Sequence, residues 1–133
     1  MADPRPPLPA KQTLLLIVVP MLATVFSLRL YLHLVHVRHI YPGGYLLHHF
    51  FIGVLIEIPS AFLLAFGTRH RVLPRVALGV GTGLMLDEMV YLVATNASDA
   101  DYISRRSLIG SAVLISLAVI FLLALYALHR NEA

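Results

Sequence analysis

Apolar positions in this chain gather into four long runs, over 13–37, 45–67, 76–95 and 108–128. Each is near the ~20 apolar residues that a helix needs to cross a bilayer. Short polar stretches divide them. The pattern predicts an all-α polytopic membrane protein, a four-transmembrane-helix bundle forming one domain over 13–130. Residues 1–12 are proline-rich and basic, and are expected to form a disordered cytoplasmic tail. A basic start before an apolar run also fits a cleaved leader. No A-x-A site follows, and the run continues past Arg29 through Leu32 to Leu34. The first span is therefore expected to be uncleaved, with a kink at Pro20.

The breaks between spans have their own chemistry. His39 to Gly44 reads HIYPGG, a turn by its proline and paired glycines, with Tyr41 and Tyr45 as interfacial aromatics. Residues 68–75 form a short basic loop, and 96–107 a polar one. Four spans put both termini on one side, with Arg5, Lys11, Arg69, Arg71, Arg75 and Arg130. Only Arg38, Arg105 and Arg106 fall on the other. The positive-inside rule then places both termini in the cytoplasm.

Composition agrees with the pattern: 59% of the 133 residues are hydrophobic and 13% charged. The absence of cysteine excludes a disulfide framework, a thiolate metal site and a cysteine nucleophile. The net charge of +3 lies in short runs between spans, which fits topology signals and lipid headgroups rather than nucleic acid.

The polar residues inside the spans are the informative ones, since ionisable groups at membrane depth are costly and mark function by default. Asp87 and Glu88 lie in the glycine-rich third run, LGVGTGLMLDEMVYL, and Glu57 in the second. All three fall within roughly one turn of the midplane at 1.5 Å per residue. Arg29 lies about 7 Å outward of its span's centre, and His33, His48 and His49 farther out. Arg29, His33 and His36 share one helix face. His49 and Glu57 lie within about 80° on the second helix, and His48 points away from Glu57. Gly79 and Gly83, and also Ala61 and Ala65, have the small-xxx-small spacing that allows close helix approach. The fourth span offers Ser111 and Ser116 alone and reads as a packing helix.

Three carboxylates against one arginine leave surplus negative charge. Protonated acids, a water-filled cavity or a bound cation would each relieve it. Imidazole and carboxylate suit zinc or iron, with His49, Asp87, Glu88, Glu57 and His48 as candidate ligands and Arg29, His33 and Tyr91 in support. The plainer alternative pairs Arg29 with Asp87 or Glu88 and leaves a protonated Glu57 bonded to a neighbour. Spacing does not favour haem. His33, His36 and His39 fit interfacial side chains better than a metal entry point. Gly79, Gly81 and Gly83 lie inside a span with no preceding strand, which excludes a nucleotide loop. The sequon at Asn96 is short enough to be accidental. Tyr102, Arg105 and Arg106 are candidates for holding an anionic headgroup or closing over the site as a lid. Local pairing of the arginines with Asp99 and Asp101 is the duller reading.

The run His48-His49, then LGVGTGLMLDE, then a Tyr-containing loop ending in Arg105-Arg106-Ser107 resembles a group of small four-span integral membrane proteins of prokaryotes, a group with no assigned activity. The resemblance covers roughly the middle half of the chain. It implies that His48, His49, Asp87, Glu88, Tyr102, Arg105 and Arg106 belong to one site, and that the membrane is a prokaryotic inner membrane. The chain departs from that pattern by adding Glu57 and by having few acids in the last loop. The leading expectation is a metal-binding membrane protein whose activity the sequence does not assign, a hydrolytic or redox enzyme acting on a lipid-soluble substrate being one form of it. The alternatives are an accessory subunit of a larger membrane complex, and a proton or ion pathway using Glu57, Glu88 and His33.

Overall fold

A computed structural model of the chain describes residues 8–35, 48–66, 72–96 and 99–130. Four long helices account for most of it: α1 (Ala10–Leu34), α2 (His49–Phe66), α3 (Val72–Ala94) and α5 (Arg105–His129). The single turn α4 (Asp99–Tyr102) lies between α3 and α5. All four long helices are long and apolar enough to cross a membrane. Mean hydropathy is highest for α5, at 2.8, and lowest for α3, at 1.5, because α3 carries the two adjacent acids.

Boundaries shift from the sequence reading for local reasons. α3 starts at Val72 rather than residue 76. Pro74 falls in its first turn, where a missing N–H costs no hydrogen bond. α5 starts at Arg105, so the Arg-Arg-Ser run is helix and not loop. Ser104 sets that start: its Oγ accepts from Ser107 N at 3.3 Å, an N-cap. α1 and α2 continue through Pro20 and Pro59. The expected turn at 39–44 and the first half of the basic 68–75 loop, including Arg69 and Arg71, lie outside the described residues.

The bundle is built around α3. Among the described residues, α1 and α5 pack on α3 and on each other, whereas α2 packs on α3 and meets α4 through His49 and Tyr102. Glycines make both principal seams. A Cβ on Gly81 would stand 2.9 Å from Gly53 O, and one on Gly83 would stand 2.7 Å from Met21 O. Neither distance is tolerable, so each glycine is what lets the backbones meet. The close seam on α2 thus runs through Gly53, while Ala61 and Ala65 are exposed. Large apolar side chains such as Phe62, Phe66, Leu117 and Phe121 face outward. Water would not tolerate such a surface, but lipid tails cover it.

Gly83→Val should therefore force α1 off α3 and cost on the order of 1–3 kcal/mol. Ala65→Val, on an open face, should stay within about 0.5 kcal/mol. Unfolding in mixed micelles measures both.

Candidate functional site

Asp87 and Glu88 are adjacent on α3, and helix geometry turns them to different neighbours. Asp87 is fully buried, with no exposed side-chain surface. Arg29 of α1 meets it, with Nε 2.5 Å from Oδ1. The rest of the guanidinium is also used. Nη1 donates to Tyr102 O at 2.8 Å. Nη2 donates to Asp87 O at 3.0 Å and to Ser111 Oγ at 2.9 Å, with Ser107 Oγ at 3.3 Å. Ser111 Oγ in turn donates to Asp87 O at 2.7 Å. A planar fork with five donors suits such a role, and a lysine could not fill it.

Tyr102, at the end of α4, closes this network. Its hydroxyl donates to Asp87 Oδ2. Its ring lies under the Arg29 guanidinium, 4.4 Å from carbon to centroid. Burial first, and the Asp87 charge next, push its hydroxyl well above the usual phenol range. The phenol therefore stays protonated and keeps donating.

Glu88 faces α2. Its Oε1 lies 2.7 Å from His48 Nδ1, and its Oε2 accepts from Phe50 N at 2.6 Å. This carboxylate caps the start of α2, where backbone donors are unpaired within the helix. His49 sits between the two acids. Its Nδ1 is 3.3 Å from Glu88 Oε2, and its Nε2 is 3.3 Å from Asp87 Oδ2. Nε2 is nevertheless buried without a hydrogen bond. Tyr102 and Tyr91 wall the imidazoles: Tyr102 stands edge-on to His49 at 5.8 Å, and Tyr91 lies 6.0 Å from His48.

The structure thus brings together Arg29, His48, His49, Asp87, Glu88, Tyr91 and Tyr102. It does not bring Glu57 there. Glu57 lies two turns along α2 from His49, about 12 Å, and accepts from Thr82 Oγ1 at 3.2 Å. Glu57 is thus held in the α2–α3 seam beside Thr82. His33 is exposed. Arg105 and Arg106 are also exposed, and Arg106 reaches Ala94 O at 3.5 Å. Of the three residues expected to form a lid, only Tyr102 reaches the acids. His36 and His39 lie outside the described residues. Among the described residues, no group of three or more His, Asp or Glu side chains is arranged to enclose a metal ion as it stands.

Sequence reading missed Ser107 and Ser111 as partners of Arg29. Their signal was a spacing of four at the start of an otherwise apolar helix, which sets both on one face.

No family model, curated protein or solved structure matches the chain.

Removing one partner of a buried pair is far costlier than replacing both. Arg29→Met should cost about 3–5 kcal/mol. Adding Asp87→Leu should recover most of that loss. Tyr102→Phe should cost about 1–3 kcal/mol. Unfolding midpoints of the four proteins, wild type included, check all three values.

Proposed function

We propose that this is a small integral membrane protein whose cluster binds a divalent cation of the zinc or iron class, with His48, His49 and Glu88 as ligands. The observation that carries the reading is that two imidazole Nδ1 atoms face the oxygens of one buried carboxylate, at 2.7 and 3.3 Å. Two ligands on a tetrahedral zinc with bonds of 2.0–2.1 Å stand about 3.3 Å apart. His49 already has that spacing, and His48 would have to open by about half an ångström. With Nδ1 on the ion, His49 Nε2 becomes an N–H facing Asp87. That is the carboxylate–histidine–metal relay which fixes a ligand's tautomer and orientation. Asp87 is then the orienting acid rather than a ligand, and Arg29, Tyr102 and Ser111 orient Asp87.

Charge supports the same reading. Arg29 balances one of the two clustered carboxylates, and a cation between the imidazoles relieves the other. A bound cation would supply Lewis acidity or an activated water. A second reading draws on the short His48–Glu88 contact: a single positive charge there neutralises the cluster, where a divalent cation leaves one positive charge over, so the cluster also fits a proton-binding site. The accessory-subunit reading rests on the chain's small size. In our reading both termini are cytoplasmic and the membrane is a prokaryotic inner membrane, on the arginine bias of the loops and the resemblance to small prokaryotic membrane proteins.

Elemental analysis after gentle purification and zinc or iron loading tests the cation. Near-stoichiometric metal is expected in the wild type, and loss in Glu88→Gln and His49→Ala. Asp87→Asn should weaken binding about 10–100-fold, the usual effect of losing an orienting partner. A folded wild type that takes up no metal favours the proton reading.

A further inference from the structure

Of the three carboxyls on the spanning helices, Glu57 alone stands outside the cluster. It lies midway along α2, about 12 Å of helix from His49 at one end and about 13 Å from Phe66 at the other. The seam with α3 sets its direction. A Cβ on Gly81 would meet both the Cβ and the backbone N of Glu57 at 3.1 Å. The side chain therefore leaves α2 on the α3 side, where Oε2 accepts from Thr82 Oγ1 at 3.2 Å. Glu57 stays partly exposed at the lipid edge of that seam, between the exposed Leu55 and Ile58.

A negative charge there has no counterpart. Among the described residues, the ion pairs all involve Asp87 or Glu88. Within four residues of Glu57, α2 reads GVLIEIPSA, and within four of Thr82, α3 reads LGVGTGLML. Neither stretch holds another titratable side chain. α3 is the helix that packs on α2 at this level, with α4 met near His49. A carboxylate would thus be an uncompensated charge near mid-bilayer, among the costliest placements for a side chain. A carboxylic acid is satisfied by what is present. Thr82 donates to its carbonyl oxygen, and the seam stays neutral where Gly53 and Gly81 meet.

We propose that Glu57 is a proton-binding site separate from the cluster, a carboxylic acid that keeps its proton at neutral pH and is open to lipid-soluble carboxyl reagents. A cation on a partner helix is the poorer fit, because the carboxyl turns into the seam of its own chain. The inference stands apart from the cation reading, since Glu57 and His49 are two helical turns apart.

The test treats detergent-purified protein with dicyclohexylcarbodiimide, which partitions into the apolar phase. The acid adds across one C=N bond: its oxygen bonds to the central carbon and its proton passes to a nitrogen. The acyl group then moves from oxygen to the other nitrogen, so nothing leaves and the adduct carries the whole reagent. One adduct per chain, mapped to Glu57 by peptide mass, is expected at about pH 7, with Asp87 and Glu88 unmodified. Infrared spectra follow the proton. The part of the carboxylic acid C=O band that labelling consumes should be equally strong at about pH 5 and pH 7. A glutamate with the ordinary pKa of about 4.3 would lose about 80-fold of its acid form over that interval. Glu57→Gln keeps an acceptor for Thr82 and should lose both signals, while the wild-type measurements decide the question even if that variant does not fold. An unmodified Glu57 in the folded wild type overturns the proposal, as does labelling of Asp87 or Glu88 in its place, or a band that fades toward pH 7. Labelling that starts only when a co-purifying protein is removed assigns the carboxyl to a partner's cation and overturns it as well.

Discussion

A fully buried aspartate on a membrane-spanning helix has to be neutralised, and the Arg29–Asp87 pair does this here. The pair joins α1 to α3 near the end where the site lies. Its spare donors then recruit Ser107 and Ser111 of α5 and the carbonyl of Tyr102. One guanidinium therefore ties three long helices and the intervening turn to one carboxylate. Cutting α1 off from Asp87 would leave a bare charge where solvation is poorest, which is why the arrangement is held so firmly.

That clamp has a chemical consequence for its neighbour. Asp87 is held from both sides, with Arg29 on one oxygen and Tyr102 on the other. Glu88 faces the other way and is met by two imidazoles and a backbone N–H. Two adjacent acids thus take different roles through the helix faces they occupy. One is a fixed anchor that orients His49, and the other is the carboxylate that the imidazoles face.

The four spans were legible because membrane crossing imposes a length and a polarity that survive without any tertiary information. Arg29, His49, Asp87 and Glu88 were legible as a group because few ionisable groups lie at that depth. Span centres could not settle the stagger of α2 against α3. They put Glu57 near Asp87 in height, yet it packs beside Gly81 and accepts from Thr82, about 7–9 Å along α3 from Asp87. Tyr102 was placed among loop residues because only a tertiary contact carries it down to Asp87. The packing of α2 on α3 through Gly53 was hidden for the same reason, since Gly53 and Ala61 look alike as small residues in an apolar run. Ser104 shows the opposite case, where a local capping bond moved a boundary that hydrophobicity could not locate.

The most direct measurement is the zinc-edge X-ray absorption spectrum of the zinc-loaded protein. The account predicts nitrogen and oxygen ligands only, at about 2.0–2.1 Å, with two imidazoles among them. The imidazole count should be unchanged in Asp87→Asn, because that acid orients a ligand and is not one. A spectrum with no imidazole, or one in which Asp87→Asn removes a ligand from the metal, would contradict it.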